Sequence, residues 1–161
     1  MIKKVSLKDD FDQLSQLLND AFRTVAYEFG LTEENAPTNN AFITSEELKT
    51  QLIERRQFFC YIENDEPIGF IAIEKSQREI GTFYIEKVAV LPNYRHKKIG
   101  LQLMSFATNR ISEQGGKKIS IGIIDSNIQL KKWYSKQNFV EVGVKEFEHL
   151  PFAVCYMEKY L

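Results

Sequence analysis

Residues Val88 to Gly100 read VAVLPNYRHKKIG, and the amphipathic run LQLMSFATNRI follows without a break. Val88 to Leu91 has the apolar, β-branched composition of a strand. Pro92 has no N–H to donate to a sheet, so the strand stops there. Tyr94 leads into Arg95, His96, Lys97 and Lys98, and a helix is predicted from about Ile99. The first turn of a helix offers unpaired backbone N–H groups and the positive end of its dipole. Basic side chains beside it make an anion site, best suited to phosphate. Gly100 lies in that first turn, where the absence of a Cβ lets a bulky phosphate reach the backbone. The stretch predicts a strand–turn–helix unit that binds a localised negative charge.

The rest of the chain is electrically balanced. Its 161 residues carry a formal net charge of -1, which excludes a protein built to coat nucleic acid or an anionic membrane. A nucleic-acid stripe would also interleave aromatics with the basic residues, whereas Tyr94 is the one aromatic of the turn. SLKDD, after the first predicted strand, has no glycine, so the G-x-G-x-x-G dinucleotide loop is absent there. Hydrophobic residues make up 43%, enough to build a core. No linker or repeat divides the chain, so one domain over residues 1–161 is expected. No run reaches the length of a membrane span, and MIKKVSLKDDFDQL lacks the apolar core of a signal peptide; a cytoplasmic protein is expected. Cys60 and Cys155 sit in the apolar runs FFCYI and AVCYM and are expected to be buried, reduced thiols. No cysteine–histidine spacing suggests zinc, and no metal is expected.

Periodicity extends the pattern to both sides of the turn. Ile2 to Val5 predicts a short strand. Phe11, Leu14, Leu17, Leu18, Ala21, Phe22 and Val25 fall at helical spacing after a cap at Asp9 or Asp10, and Gly30 stops that helix. LTEENAPTNNAFI predicts a loop. Thr44 and Glu47 have capping-box spacing for a helix over SEELKTQLIERR. FFCYIE and IGFIAIEK predict a hairpin about NDEP, and GTFYIEKVAVL the next antiparallel strand. The helix after Ile99 ends at Gly115-Gly116. KKISIGIID predicts a strand, Asn127 opens a helix over IQLKKWYSKQ, and VEVGVKEF and FAVCYMEKY predict a last hairpin. The one strand–helix–strand crossover, after Val90, predicts a parallel pair in an otherwise antiparallel sheet.

With these residues in place, the chain resembles the GNAT superfamily of acetyl-CoA-dependent N-acetyltransferases. That family's signature, Gln/Arg-x-x-Gly-x-Gly/Ala, corresponds to Arg95-His96-Lys97-Lys98-Ile99-Gly100. The resemblance runs from about Phe58 to the C-terminus and includes the proline-ended strand, Asn127, Trp133-Tyr134 and Asn138-Phe139. Lys98 departs from it, standing where the family prefers glycine. A right-handed backbone there would suit lysine, and its ammonium could add to phosphate binding. The resemblance implies an α/β fold: a single-domain, mixed, mostly antiparallel sheet of about seven strands, flanked by about four helices and splayed between the fourth and fifth strands.

It also implies acetyl transfer from acetyl-CoA to an amine. Arg95, His96, Lys97, Lys98, Ile99, Gly100 and Leu101 would hold the pyrophosphate. Val88, Ala89 and Val90 would pair with the pantetheine arm, and one exposed N–H of Val88 or Val90 would stabilise the oxyanion. Asn127 would bind the arm through its amide or simply cap its helix. Tyr134 would protonate or hydrogen-bond the leaving thiolate, or else pack beside Trp133. Glu86 is the candidate general base: in an unbroken strand it shares one face with Tyr84, Val88 and Val90. The alternative is a solvated Glu86. Lys131 and Lys132 would approach the phosphates or face solvent. His96 and His149 have no catalytic role assigned. The acceptor pocket would be lined around Tyr27, Phe29, Phe42, Phe58 and Phe147 to Phe152, with Glu28, Glu33 and Glu34 available to attract a polyamine. The expected acceptor is a primary amine of a small molecule, a polyamine or similar. A protein N-terminus or lysine, a catalytically silent CoA-binding protein of the same fold, and both a monomer and a homodimer stand open.

Overall fold

A computed structural model describes residues 1–161. Its elements are β1 (Ile2–Lys4), α1 (Phe11–Glu28), α2 (Ser45–Ile53), β2 (Gln57–Glu63), β3 (Glu66–Lys75), β4 (Thr82–Val90), α3 (Ile99–Glu113), β5 (Lys118–Ile124), α4 (Ile128–Ser135), β6 (Val140–Lys145) and β7 (Val154–Tyr160). The strands form one seven-stranded sheet in the order β1-β2-β3-β4-β5-β7-β6. Only β4 and β5 run parallel. This is the expected α/β sheet.

Local chemistry places the boundaries. Of the two aspartates offered by the sequence, Asp10 caps α1, accepting from the amides of Asp12 and Gln13 at 3.0 and 3.1 Å. Asp9 instead takes the Ser6 amide at 2.7 Å. Thr44 caps α2 through the Glu47 amide at 3.1 Å, while its hydroxyl donates to the Glu47 carboxylate. The β2–β3 turn sets Asn64 and Asp65 both at positive φ, which these two residue types tolerate best and which matches the twist of a two-residue hairpin.

The sheet buries both faces. Phe11, Leu14, Leu17 and Leu18 of α1 and Leu48 of α2 pack on Phe58, Cys60, Phe70 and Ala72. On the opposite face Leu103, Met104 and Ala107 of α3 and Tyr134 of α4 pack on Phe59, Ile71, Ile73, Phe83 and Ile119. Both cysteines are buried and free, as expected. Burial pushes the Cys60 thiol up to about 12.

Two irregularities of β4 position the site. The ladder to β5 joins only Thr82, Phe83 and Tyr84 to Lys118, Ile119 and Ser120. Beyond Tyr84 the two strands part, while β4 stays registered on β3 up to Val90. The second irregularity is a bulge. Ala72 pairs with Glu86 and Phe70 with Ala89, so three steps on β4 match two on β3, and Lys87 lies inside the extra step at φ 55°.

Candidate active site

The Lys87 bulge corrects the expected strand face. Tyr84 and Glu86 pair with Glu74 and Ala72, on the side of α1 and α2. Val88 and Val90 pack into the cluster under α3 and α4, on the opposite side. Glu86 and the two valines therefore share no face, because the extra residue reverses the alternation that an unbroken strand would keep. Glu86 instead meets Arg56, from the junction of α2 and β2. Arg56 Nε donates to Glu86 Oε1 and lies 3.5 Å from Glu74 Oε2. Burial disfavours the guanidinium charge, but Glu86 and Glu74 more than restore it and raise its pKa. Lys87 Nζ lies 3.8 Å from Glu86 Oε2. Tyr84 points its hydroxyl away, donating to Ser76 Oγ at 3.2 Å.

Val90 borders the gap. The Leu91 N–H bonds to the Ile68 carbonyl, so strand alternation turns the Val90 N–H and C=O away from β3, toward the space that β5 has left. Arg95 Nε donates to that carbonyl at 3.1 Å, and its terminal nitrogens reach Thr24 Oγ1 at 3.1 Å and the Ala21 carbonyl at 2.7 Å. The guanidinium expected at the phosphate site is thus engaged by α1, and its desolvation lowers its pKa. Arg95 ties the turn to α1, although it also lines the cleft.

The candidate anion site consists of backbone amides. The amides of His96, Lys97, Lys98, Ile99, Gly100 and Leu101 have no acceptor within the protein; the first helical bond of α3 begins at Gln102. His96 and Lys98 are both left-handed, at φ 65° and 63°, a geometry that turns successive N–H groups into a concavity for an anion. Lys98 therefore does not take the right-handed backbone expected of it. His96, Lys97 and Lys98 are exposed at the rim. The cleft, about 330 Å³, is walled by Val90, Tyr94, Arg95, Gly100 and Trp133 among others. A Cβ on Gly100 would come within 3.2 Å of the Trp133 indole, so this glycine lets the start of α3 approach α4 closely.

Helix α4 supplies the opposite wall. Asn127 caps it, accepting from the Leu130 amide at 3.2 Å and leaving its NH₂ group free. Tyr134 is buried, with its ring 4.9 Å from Trp133 and 5.5 Å from Phe139. Burial raises its phenol pKa above the usual range. Lys131 is held by Asp125 at 2.6 Å and Glu141 at 3.0 Å, and Lys132 faces solvent. Neither lysine presents a free ammonium to the cleft from a buried position. Asp125, Glu141 and Cys155 bring donor atoms within 4.8 Å of one another, and the Lys131 ammonium bridges the two carboxylates.

Residues 30–161 match the acetyltransferase (GNAT) domain family. The chain belongs to this family. Solved GNAT-fold structures cover it end to end. The PaiA N-acetyltransferase from Thermoplasma acidophilum, in complex with coenzyme A, is 20% identical at a TM-score of 0.79, covering 100% of this chain and 98% of that one. A ribosomal-protein-alanine N-acetyltransferase from Brucella melitensis is 17% identical at 0.77, covering 100% and 99%. An aminoglycoside 6'-N-acetyltransferase complexed with coenzyme A is 17% identical at 0.71, covering 99% and 96%. No helix of the chain is long and apolar enough to cross a membrane.

The far side of the gap in this GNAT chain is apolar. Ile124, at the end of β5, packs with Ala26, Leu31, Ala36, Phe29, Phe42 and Phe152. Three of the aromatics expected at an acceptor pocket thus gather beside the gap. Phe58 does not, being wholly buried in the core, and Tyr27 projects into solvent. His149 is exposed and stacks edge-on with Phe147. Lys87 escaped sequence reasoning because a bulge has no residue signature unless a glycine marks it, and Arg56 because its contact with Glu86 joins residues 30 apart in sequence. Left-handed Lys98 yields the first prediction. Holding an L-residue there costs about 1–2 kcal/mol, partly offset by the extra unfolded-state freedom of glycine. Lys98→Gly should stabilise the protein by about 0.5–1 kcal/mol in urea denaturation at unchanged m-value, while Lys98→Ala should not.

Proposed function

We propose that the chain moves the acetyl group of acetyl-CoA onto a primary amine of a small molecule, by direct attack of the amine on the thioester. The observation that carries this is the row of unpartnered amides from His96 to Leu101, set at the mouth of the gap between β4 and β5. Unpaired backbone N–H groups at a helix start suit a pyrophosphate. The exposed edge of β4 from Val88 to Val90 suits an extended, amide-rich arm, which the free NH₂ group of Asn127 at the start of α4 would also bind. The Val90 N–H, directed into the gap, is the oxyanion donor of this reading.

Glu86 and Tyr134 flank the gap from opposite faces of the sheet. In this arrangement the amine enters from the α1–α2 side, where Glu86 takes its proton, and the thiolate departs on the α4 side. The Tyr134 phenol, like any tyrosine, is neutral at physiological pH, and burial raises its pKa further. It therefore serves the thiolate as a hydrogen-bond donor and adds no alkaline limb of its own in the ordinary range. The apolar cluster around Ile124, Phe42 and Phe152 suits the hydrocarbon part of the acceptor. Arg56 and Lys87 beside Glu86 offset the carboxylates there, which favours a compact monoamine over a long polycation.

Three measurements test the reading. Gly100→Glu places a carboxylate in the anion site and against Trp133; calorimetry should find CoA binding abolished while circular dichroism stays near wild type. Tyr134→Phe removes only the hydroxyl; kcat should fall roughly 10²–10⁴-fold with CoA affinity retained, and an unchanged kcat would leave Tyr134 a packing residue. Glu86→Gln should bind acetyl-CoA normally yet turn over slowly. Its rate should then rise with pH only as the amine deprotonates on its own, toward roughly pH 10.4 for a lysine-like amine.

A further inference from the structure

Lys87 combines two unfavourable features at one residue. Its backbone is left-handed, which an L-residue avoids. Its side chain is also only 5% exposed, which makes it the one lysine of the chain that is buried. Burying an ammonium is costly unless it is paired and hydrogen-bonded. Lys87 Nζ makes no hydrogen bond, and its one ion-pair partner is Glu86 Oε2 at 3.8 Å. Yet the amine is not sealed in: the side-chain nitrogens and oxygens that are both sealed and unpartnered are Gln51 Oε1 and Arg110 Nε. The stem is buried and the tip lies on the same side as Glu86. The residue itself stands between Glu86 and Val88, where β4 has left β5. A strained, poorly paired titratable group beside a reaction gap marks a functional position.

From this placement we infer that Lys87 is an internal acetyl acceptor, modified by the protein's own bound acetyl-CoA when no external amine is present. The inference rests on the acetyl-CoA reading above. In the step, the neutral Nζ attacks the thioester carbonyl carbon. The new C–N bond forms, the C–S bond breaks, and CoA leaves as the thiolate. The proton shed by the nitrogen passes to Glu86 and on to solvent, and the departing thiolate takes up a proton from solvent, so the products are Nε-acetyl-Lys87 and CoA thiol. Loss of the ammonium's solvation in the folded protein favours the neutral amine needed for attack. Acetylation removes a positive charge 3.8 Å from Glu86, so the modified protein presents a more negative acceptor side than the unmodified one.

The test incubates the full chain with acetyl-CoA alone and follows acetylation by intact mass and peptide mapping. One acetyl group is expected on Lys87, at a rate that saturates with acetyl-CoA and exceeds that of the exposed lysines. Lys87→Arg, which keeps the charge, should lose it. Gly100→Glu, which blocks the cleft, should lose it as well. Two results overturn the inference: Lys87 staying unmodified while exposed lysines react, or Lys87 reacting equally fast in Gly100→Glu, which would make the modification purely chemical. Should Lys87→Arg not fold, the comparison of wild type with Gly100→Glu decides alone. Calorimetry with CoA separates the two levels. Wild type that binds CoA and acetylates added amines with Lys87 unmodified sinks self-acetylation only, whereas wild type that does not bind CoA sinks the acetyl-CoA reading with it.

Discussion

β4 keeps its ladder to β3 and abandons its ladder to β5 after Tyr84. Every other feature of the site depends on that one-sided pairing. A strand in mid-sheet normally satisfies both edges; here one edge stays open over the length of a small ligand. Part of the open edge is covered from outside the sheet. Arg95 does this for the Val90 carbonyl, and the same guanidinium anchors on the Ala21 carbonyl and Thr24 of α1. One side chain thereby fixes the strand end, the turn and the first helix together. The turn can then leave its own amides unpaired.

The bulge at Lys87 gives the gap two different walls. Without the extra residue, Glu86 would share one face with Val88 and Val90. With it, the carboxylate reaches the α1–α2 side, where Arg56 and Glu74 meet it. The sheet then separates a carboxylate on one face from a buried phenol on the other. That separation suits a reaction in which a proton is taken from one reactant and a thiolate departs from the other. A bulge costs ladder pairing and, here, a left-handed lysine. Such local strain is held in place by the surrounding sheet and concentrates where chemistry is placed.

Positive charge at the cleft also differs from what composition suggests. Of the four consecutive basic residues, Arg95 turns inward to protein acceptors, while His96, Lys97 and Lys98 remain at the rim. Lys97 leans over the Tyr94 ring at 5.2 Å. The floor of the site is the backbone itself, whose N–H groups need no particular side chain except the missing one at Gly100. This explains how Lys98 can replace a glycine: the position demands a backbone angle, and lysine meets it at an energetic cost.

Element order, the proline-ended strand, the capping of α1, α2 and α4, and the parallel crossover were all legible in the sequence. They depend on local rules: residue periodicity, side chains that bond the nearest amides, and a proline that cannot donate. The turn with its unpartnered amides was legible for the same reason, since it is one contiguous stretch. Other features were decided only by the tertiary structure. The direction of Glu86 depends on a register shift against β3. The destination of the Arg95 guanidinium is set by α1, more than seventy residues away. Phe58 belongs to the core and Phe42 to the gap because of how α1 and the following loop fold back over β5. None of these can be seen from spacing, because each is a contact between segments whose separation in sequence says nothing about which face meets which.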